Sequence, residues 1–193
     1  NSVTITNPLG EDTSVMRTTA LPSMMETLAL NFNRRNQSAK LFEIATEYIN
    51  LGIDKLPDEQ KVLIAGAYGN VDFFEVKGAL EMLFKTLNLP EADFVAVNDE
   101  ASYHPGRTAK IYAGKTEIGI LGEIHPTVAD NYSIDEKVYV AKLNIAAMYK
   151  AVGEEKMYHQ LPKFPAVERD FAMLVDAELP VGAIEKAISS GAG

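Results

Sequence analysis

"SVMRTTALPSMMETLALNFNRR", residues 14–35, decides how the rest of the chain is read. Arg17 stands between hydroxyl-bearing residues, ahead of Pro22, an apolar-striped run and the pair Arg34–Arg35. Leu21, Met25, Leu28 and Phe32 recur at helical intervals, and Ser23 with Glu26 has capping-box spacing. A helix is therefore expected over residues 22–35. Arg17 then has two possible tasks: gripping a nucleotide phosphate, or tying the helix to its surroundings.

Working outward, "AKLFEIATEYI" (39–49) places Leu41, Glu43, Ala45 and Glu47 on one parity and Phe42, Ile44, Thr46 and Tyr48 on the other. One side is more apolar than its opposite, which suits a strand with one face in the core. Upstream, "SVTIT" (2–6) alternates and is β-branched, so it reads as a strand ended by "NPLG". Downstream, "NLGIDKLPDEQ" reads as a loop and "KVLIAGAYG" as a short buried strand. In "VDFFEVKGALEMLFKTLNLP" (71–90), Phe73, Val76, Leu80, Leu83 and Leu87 step by three and four, Asp72 can cap the start, and Pro90 ends the helix. Gly78 lies in its middle. A glycine there costs about 1 kcal/mol relative to alanine, so close backbone approach by a neighbour is expected.

"ADFVAV" is a further strand. "RTAKIYAGKTEIGILGEI" reads as a hairpin turning at Gly114–Lys115, with Ile118, Ile120 and Ile124 on one face. "HPTVADNY" gives a short helix starting at Pro126, and "KVYVAKLNIAAMYKAV" a central strand running into a short helix. Charges with Pro162 and Pro165 mark residues 153–168 as a linker. The last stretch, "ERDFAMLVDAELPVGAIEKAISS", supplies one strand, a turn at Pro180 and one amphipathic helix. A lone strand and helix bury no core of their own, so they are expected to open a domain that continues further.

The chemistry is sparse. The chain of 193 residues has 27 acidic and 18 basic residues, a net charge of −9, which disfavours a nucleic-acid binder needing a basic face. It contains no cysteine, so disulfides and Cys-ligated zinc or iron–sulfur sites are excluded. That suits a reducing cytosol. No apolar run approaches the roughly 20 residues of a membrane span, and the first residues lack a signal-peptide pattern. His104, Glu123 and His125 fit no compact metal-ligand spacing, and both histidines precede proline, which by itself explains extended or turn backbone. His159 falls in the linker without a partner. Arg107 follows a Pro-Gly turn and either cradles an anion or simply enters a strand. Acid pairs such as Glu154–Glu155 are expected to face water.

"NPLGEDTSVMRTTALPSMMETLALNFNRR", "LFEIATEY", "VDFFEVKGALEML", "YHPGRTAKI", "LGEIHPTV" and "KFPAVERDFAMLV" occur in this order. Together they resemble the β subunit of bacterial phenylalanyl-tRNA synthetase across essentially the whole chain. The resemblance implies an α+β fold: residues 1–152 as a degenerate class II synthetase-like antiparallel sheet with flanking helices, a linker at 153–167, and at 168–193 the first β-α of a ferredoxin-like anticodon-binding domain. In the family a longer, tryptophan-containing excursion usually separates the segments matching "AYGN" and "VDFF"; here Asn70 meets Val71 directly, so either that loop is shortened or residues are missing between the two. The strand and helix that ordinarily precede "SVTITNPLG" have none either.

Class II synthetases neutralise phosphate charge with two arginines as it redistributes in the transition state. By resemblance, the first motif is matched only by its returning strand, "LFEIATEY". Where the second would lie the only basic residues are Lys142 and Lys150, and an ammonium supplies no planar fork. Arg17 is accordingly read as structural, paired with an acid or with strand carbonyls, and no catalytic, cofactor-binding or metal residue is assigned. The implied holoenzyme is a cytoplasmic α2β2 tetramer that uses ATP and Mg2+ to join phenylalanine to tRNA(Phe), with the chemistry on α. Candidate α-subunit contacts are Met25, Leu28, Phe73, Gly78 and Leu80. Two alternatives compete with this scaffold: an RNA-binding module that contacts tRNA directly, and a residually active ligase domain.

Overall fold

The computed structural model describes residues 2–52, 55–153, 158, 163–165, 167–170, 172–177 and 179–191. The chain divides into two compact units, 1–156 and 157–193. The first is built on α1 (Leu21–Asn33), β1 (Ala39–Ile49), β2 (Asp58–Tyr68), α2 (Phe73–Thr86), β3 (Ala92–Ala96), β4 (Tyr103–Ala113), β5 (Thr116–Ile124), α3 (Pro126–Asn131), β6 (Val138–Asn144) and α4 (Ile145–Ala151). The strands form one antiparallel sheet in the order β1-β2-β6-β5-β4-β3.

Helices cover both sides of this sheet. On one side, Met24, Met25 and Leu28 of α1 and Ala129 of α3 close over Ala45, Val62, Ile64, Val138 and Val140. On the other, Leu80 and Phe84 of α2 and Met148 of α4 cover Ile111, Leu121, Ala141 and Leu143. β6 is buried on both faces over Val138–Ala141, as the apolar residues on both of its parities require. The β4–β5 hairpin turns at Gly114–Lys115 as expected, and Gly114 takes φ +62°, a region that glycine enters without penalty. Asp72 caps α2 by accepting from the Glu75 backbone N–H at 2.8 Å. The direct Asn70–Val71 junction is a tight turn in which Val71 N–H donates to the Gly69 carbonyl at 2.8 Å.

Several expectations are corrected. The helix starts at Leu21 with Ala20 at the N-cap, so Ser23 lies inside the first turn and no side chain caps it. Buried Ala20 gives its own N–H to a carboxylate of the sheet instead. Residues 2–6 do not form a strand; a single Thr4–Val15 bridge holds them. Asp58–Gln60, read as loop, extend β2, because β1 offers a ladder as far as Ile49. A register shift after Ile111 slips Ile118 out of line with Ile120 and Ile124, and it joins the opposite core.

On β1 the side with fewer large apolar residues is the buried one. Ala45 and Glu47 are inside, while Phe42 is 76% and Ile44 62% exposed. Gly78 has open space where a Cβ would stand, so no neighbour among the described residues approaches it. In the second unit, α5 (Val181–Gly191) forms as expected, whereas the described residues of 168–176 form no strand. An extended segment becomes a strand only against a partner.

Two glycines set how closely layers meet. A Cβ on Gly66 would touch Leu28 and Met24, the ends of flexible side chains, whereas one on Gly119 would press on the Lys142 carbonyl oxygen, which cannot move without breaking the β5–β6 ladder. Gly119→Ala is expected to destabilise by about 3 kcal/mol and Gly66→Ala by about 1 kcal/mol. Urea unfolding midpoints check the order; equal losses would contradict it.

Candidate functional site

A cleft of about 500 Å³ opens on the α1 side of the sheet. The register builds it. Lys110 of β4 lies opposite Ile120 of β5, which lies opposite Lys142 of β6, then Ile64 of β2 and Glu43 of β1. Strands stand about 4.8 Å apart, so the two lysine backbones are about 10 Å apart with an isoleucine between them. Val62, Leu21 and Tyr103 add apolar lining, and Gln60 and Asn144 add amides.

Each ammonium has a carboxylate facing it. Lys142 Nζ donates to both oxygens of Glu47, at 3.3 and 3.4 Å. Glu47, 4% exposed, also accepts the Ala20 backbone N–H at 2.8 Å, which anchors the start of α1. Lys110 sits 3.6 Å from Glu100 and 3.8 Å from Glu117, and Glu117 foremost raises its pKa above the ordinary lysine value. Among the described residues that line the cleft, three are carboxylates and two are ammoniums. The Tyr103 phenol is pushed well above its usual range, first by burial and then by Glu100 and Glu47.

Arg17 lies outside the cleft lining. Its Nε donates to the Thr46 carbonyl at 2.9 Å and its Nη2 to Glu43 at 2.9 Å, while its own carbonyl accepts from Tyr48 N–H at 2.9 Å. The guanidinium thus clips the approach to α1 onto the outer edge of β1. Arg34 and Arg35 follow the C-terminal end of α1, with Arg35 at φ +62°, and Lys150 lies in the last turn of α4; none lines the cleft. Arg107 directs Nη1 at Glu123, 2.7 and 2.9 Å from its two oxygens, and Tyr139 donates to the same carboxylate at 3.3 Å. His104 Nδ1 accepts from Gly106 N–H and His125 Nδ1 from Thr127 N–H. The His104 ring serves the irregular start of β4 and the His125 ring caps α3, and no metal-binding cluster occurs among the described residues. His159 and Glu154–Glu155 lie outside the described residues.

Of the named contact residues, Met25 and Leu28 are fully buried in the core under α1, Leu80 is buried in the core under α2, and Phe73 is partly buried against that core. Gly78 is on the surface. The cleft residues Glu47, Gln60, Glu100, Tyr103, Lys110 and Glu117 carry no local motif. The available signal was an acid on an inward parity of β1 with one lysine in an otherwise apolar β6.

A family profile described as "Phenylalanyl tRNA synthetase beta chain CLM domain" matches residues 1–145. The phenylalanine–tRNA ligase beta subunit of Clostridium tetani is 50% identical over 194 residues, covering 100% of this chain and 24% of that subunit. The corresponding subunit of Clostridium acetobutylicum is 44% identical over 196 residues, again covering 100% and 24%. The chain therefore spans about a quarter of the length of these relatives. Pyrrolysyl-tRNA synthetase from Desulfitobacterium hafniense superposes with a TM-score of 0.60 at 14% identity, over 77% of this chain and 52% of that one, a likeness of fold alone. The six-stranded antiparallel sheet with helices on both sides is an α+β architecture.

The Glu47–Lys142 pair yields a coupled prediction. Lys142→Met strands a buried carboxylate and is expected to cost about 2 kcal/mol, discounted because the lysine is one-third exposed. Adding Glu47→Gln keeps an acceptor for Ala20 N–H without the charge, so the double variant should recover at least about 1 kcal/mol. Strictly additive losses in urea unfolding would contradict the coupling.

A second prediction concerns alkaline pH. Because the folded pKa of Tyr103 is raised, its contribution is complete below the unfolded value of about 10 and is lost as pH rises above it. Stability should fall between about pH 10 and 11.5, and less steeply for Tyr103→Phe. Unfolding midpoints across that interval check it; identical slopes would contradict it.

Proposed function

Because this chain belongs to the phenylalanyl-tRNA synthetase β-chain family, we propose that it is a non-catalytic scaffold that packs against the α catalytic subunit and supports aminoacylation of tRNA(Phe) there. The carrying observation is the charge of the cleft. A magnesium-bound triphosphate needs cationic groups free to follow phosphate charge as it moves. Here both lysines already face carboxylates, and a third carboxylate adds repulsion. The cleft does not fit ATP, and no catalytic step is assigned to it. Activation of phenylalanine with ATP and Mg2+ belongs to α in this reading, within an α2β2 assembly in the cytoplasm. Arg17 serves the fold by clipping the α1 approach to β1. Residues 168–193 are taken as the opening of a ferredoxin-like anticodon-binding domain.

The RNA-module alternative is weakened by the net charge of −9. The residual-ligase alternative is weakened by the paired lysines.

The test combines association with exchange chemistry. The 193-residue chain should bind purified α subunit in analytical ultracentrifugation, while ATP–pyrophosphate exchange dependent on phenylalanine should track α alone. Exchange by the isolated chain above background, or failure to bind α, would overturn the scaffold reading.

A further inference from the structure

One buried side chain has a polar end that the fold leaves unused. The Tyr103 ring is 7% exposed and packs in the core under α1, yet its hydroxyl has no hydrogen-bond partner among the described residues. Every fully buried side-chain oxygen or nitrogen among them does have one, so this oxygen reaches open space. Tyr103 lines the cleft, and the two carboxylates that act on its phenol, Glu100 ahead of Glu47, line it too. The hydroxyl therefore opens into the cleft. The carboxylates there are not equally engaged. Glu47 holds the Ala20 N–H and Lys142, and Glu117 accepts the Tyr112 hydroxyl at 3.1 Å. Glu100, 40% exposed, has only Lys110 at 3.6 Å, beyond hydrogen-bond length, and Lys110 is shared with Glu117. The carboxylate short of a partner thus lies in the same turn as the unpartnered phenol, since Tyr103 N–H donates to the Glu100 carbonyl at 3.0 Å.

We infer that the cleft binds a small organic ammonium, a primary amine on a short branched aliphatic body. The ammonium donates to the Glu100 carboxylate and to the Tyr103 oxygen, and the body lies on Leu21, Val62 and Ile120. Chemistry selects this class. An anion accepting from the phenol would stand beside the two carboxylates that already act on it. A neutral apolar ligand would cut the phenol and Glu100 off from water and give neither a partner. An ammonium satisfies both, and it brings the cations of the cleft to three against the three carboxylates of its lining. The volume of about 500 Å³ is ordinary for a small-molecule site. The inference stands apart from the scaffold reading and agrees with a cleft that refuses phosphate.

The probe is isopentylamine, with isopentyl alcohol and isovalerate as neutral and anionic counterparts, titrated into the 193-residue chain and followed by amide NMR. The amine should give saturable shifts at Tyr103, Lys110 and Ile120 with a dissociation constant in the millimolar range. The alcohol and the carboxylate should bind there at least ~10-fold more weakly. Glu100→Gln should weaken the amine about 10-fold and Tyr103→Phe about 5-fold. Glu81→Gln, which removes a negative charge on α2 outside the cleft, should leave its affinity unchanged. Both cleft variants should stay folded, as urea midpoints check, because neither side chain makes a hydrogen bond within the described fold. Equal binding of the alcohol, wild-type affinity in either cleft variant, or amine shifts that do not saturate or lie outside the cleft would overturn the inference. None of these outcomes bears on association with α.

Discussion

Glu47 is a carboxylate taken out of water, and the first unit is arranged around satisfying it. Two groups do so, from 27 residues before it and 95 after: the Ala20 backbone N–H and the Lys142 ammonium. The first fixes where α1 leaves the sheet, in place of a side-chain cap. The second ties edge strand β1 to interior strand β6 across β2. A buried charge so held adds little net stability beside an apolar replacement of equal size, but losing either partner is costly. The pair therefore specifies one arrangement of helix on sheet more than it strengthens that arrangement.

The same pair decides the chemistry of the cleft. A synthetase-like sheet face becomes a nucleotide site when its cations are free to meet phosphate. Lys142 is engaged with Glu47, and Lys110 stands between Glu100 and Glu117. Arg17 lies near this face yet spends its guanidinium on Thr46 and Glu43. Groups that could have served a substrate hold strands and helices in register, a use consistent with a scaffold whose partner carries the reaction.

Much of the fold was legible in the sequence, wherever one residue type forces one local geometry. Asp72 caps α2, Gly114 turns the β4–β5 hairpin, and apolar residues on both parities mark β6 as interior. What was not legible depends on contacts distant in sequence. The start of α1 lies at Leu21, where Glu47 holds the Ala20 N–H and no side chain caps the first turn, a placement set by a contact 27 residues away. The apolar parity of β1 faces outward because α1 covers the parity of Ala45 and Glu47. Ile118 changes sides at a bulge that no residue pattern announced. The cleft is assembled from β1, β2, β4, β5, β6 and the approaches to α1 and β4, so no local motif could signal it.

The central claim, that paired charges leave the cleft unable to take a nucleotide, is tested most directly by amide NMR of the 193-residue chain titrated with magnesium-bound ATP. The account predicts no saturable shifts at Glu47, Gln60, Tyr103, Lys110, Ile120 or Lys142 up to millimolar nucleotide. Saturable shifts centred on Lys110 and Lys142 would contradict it.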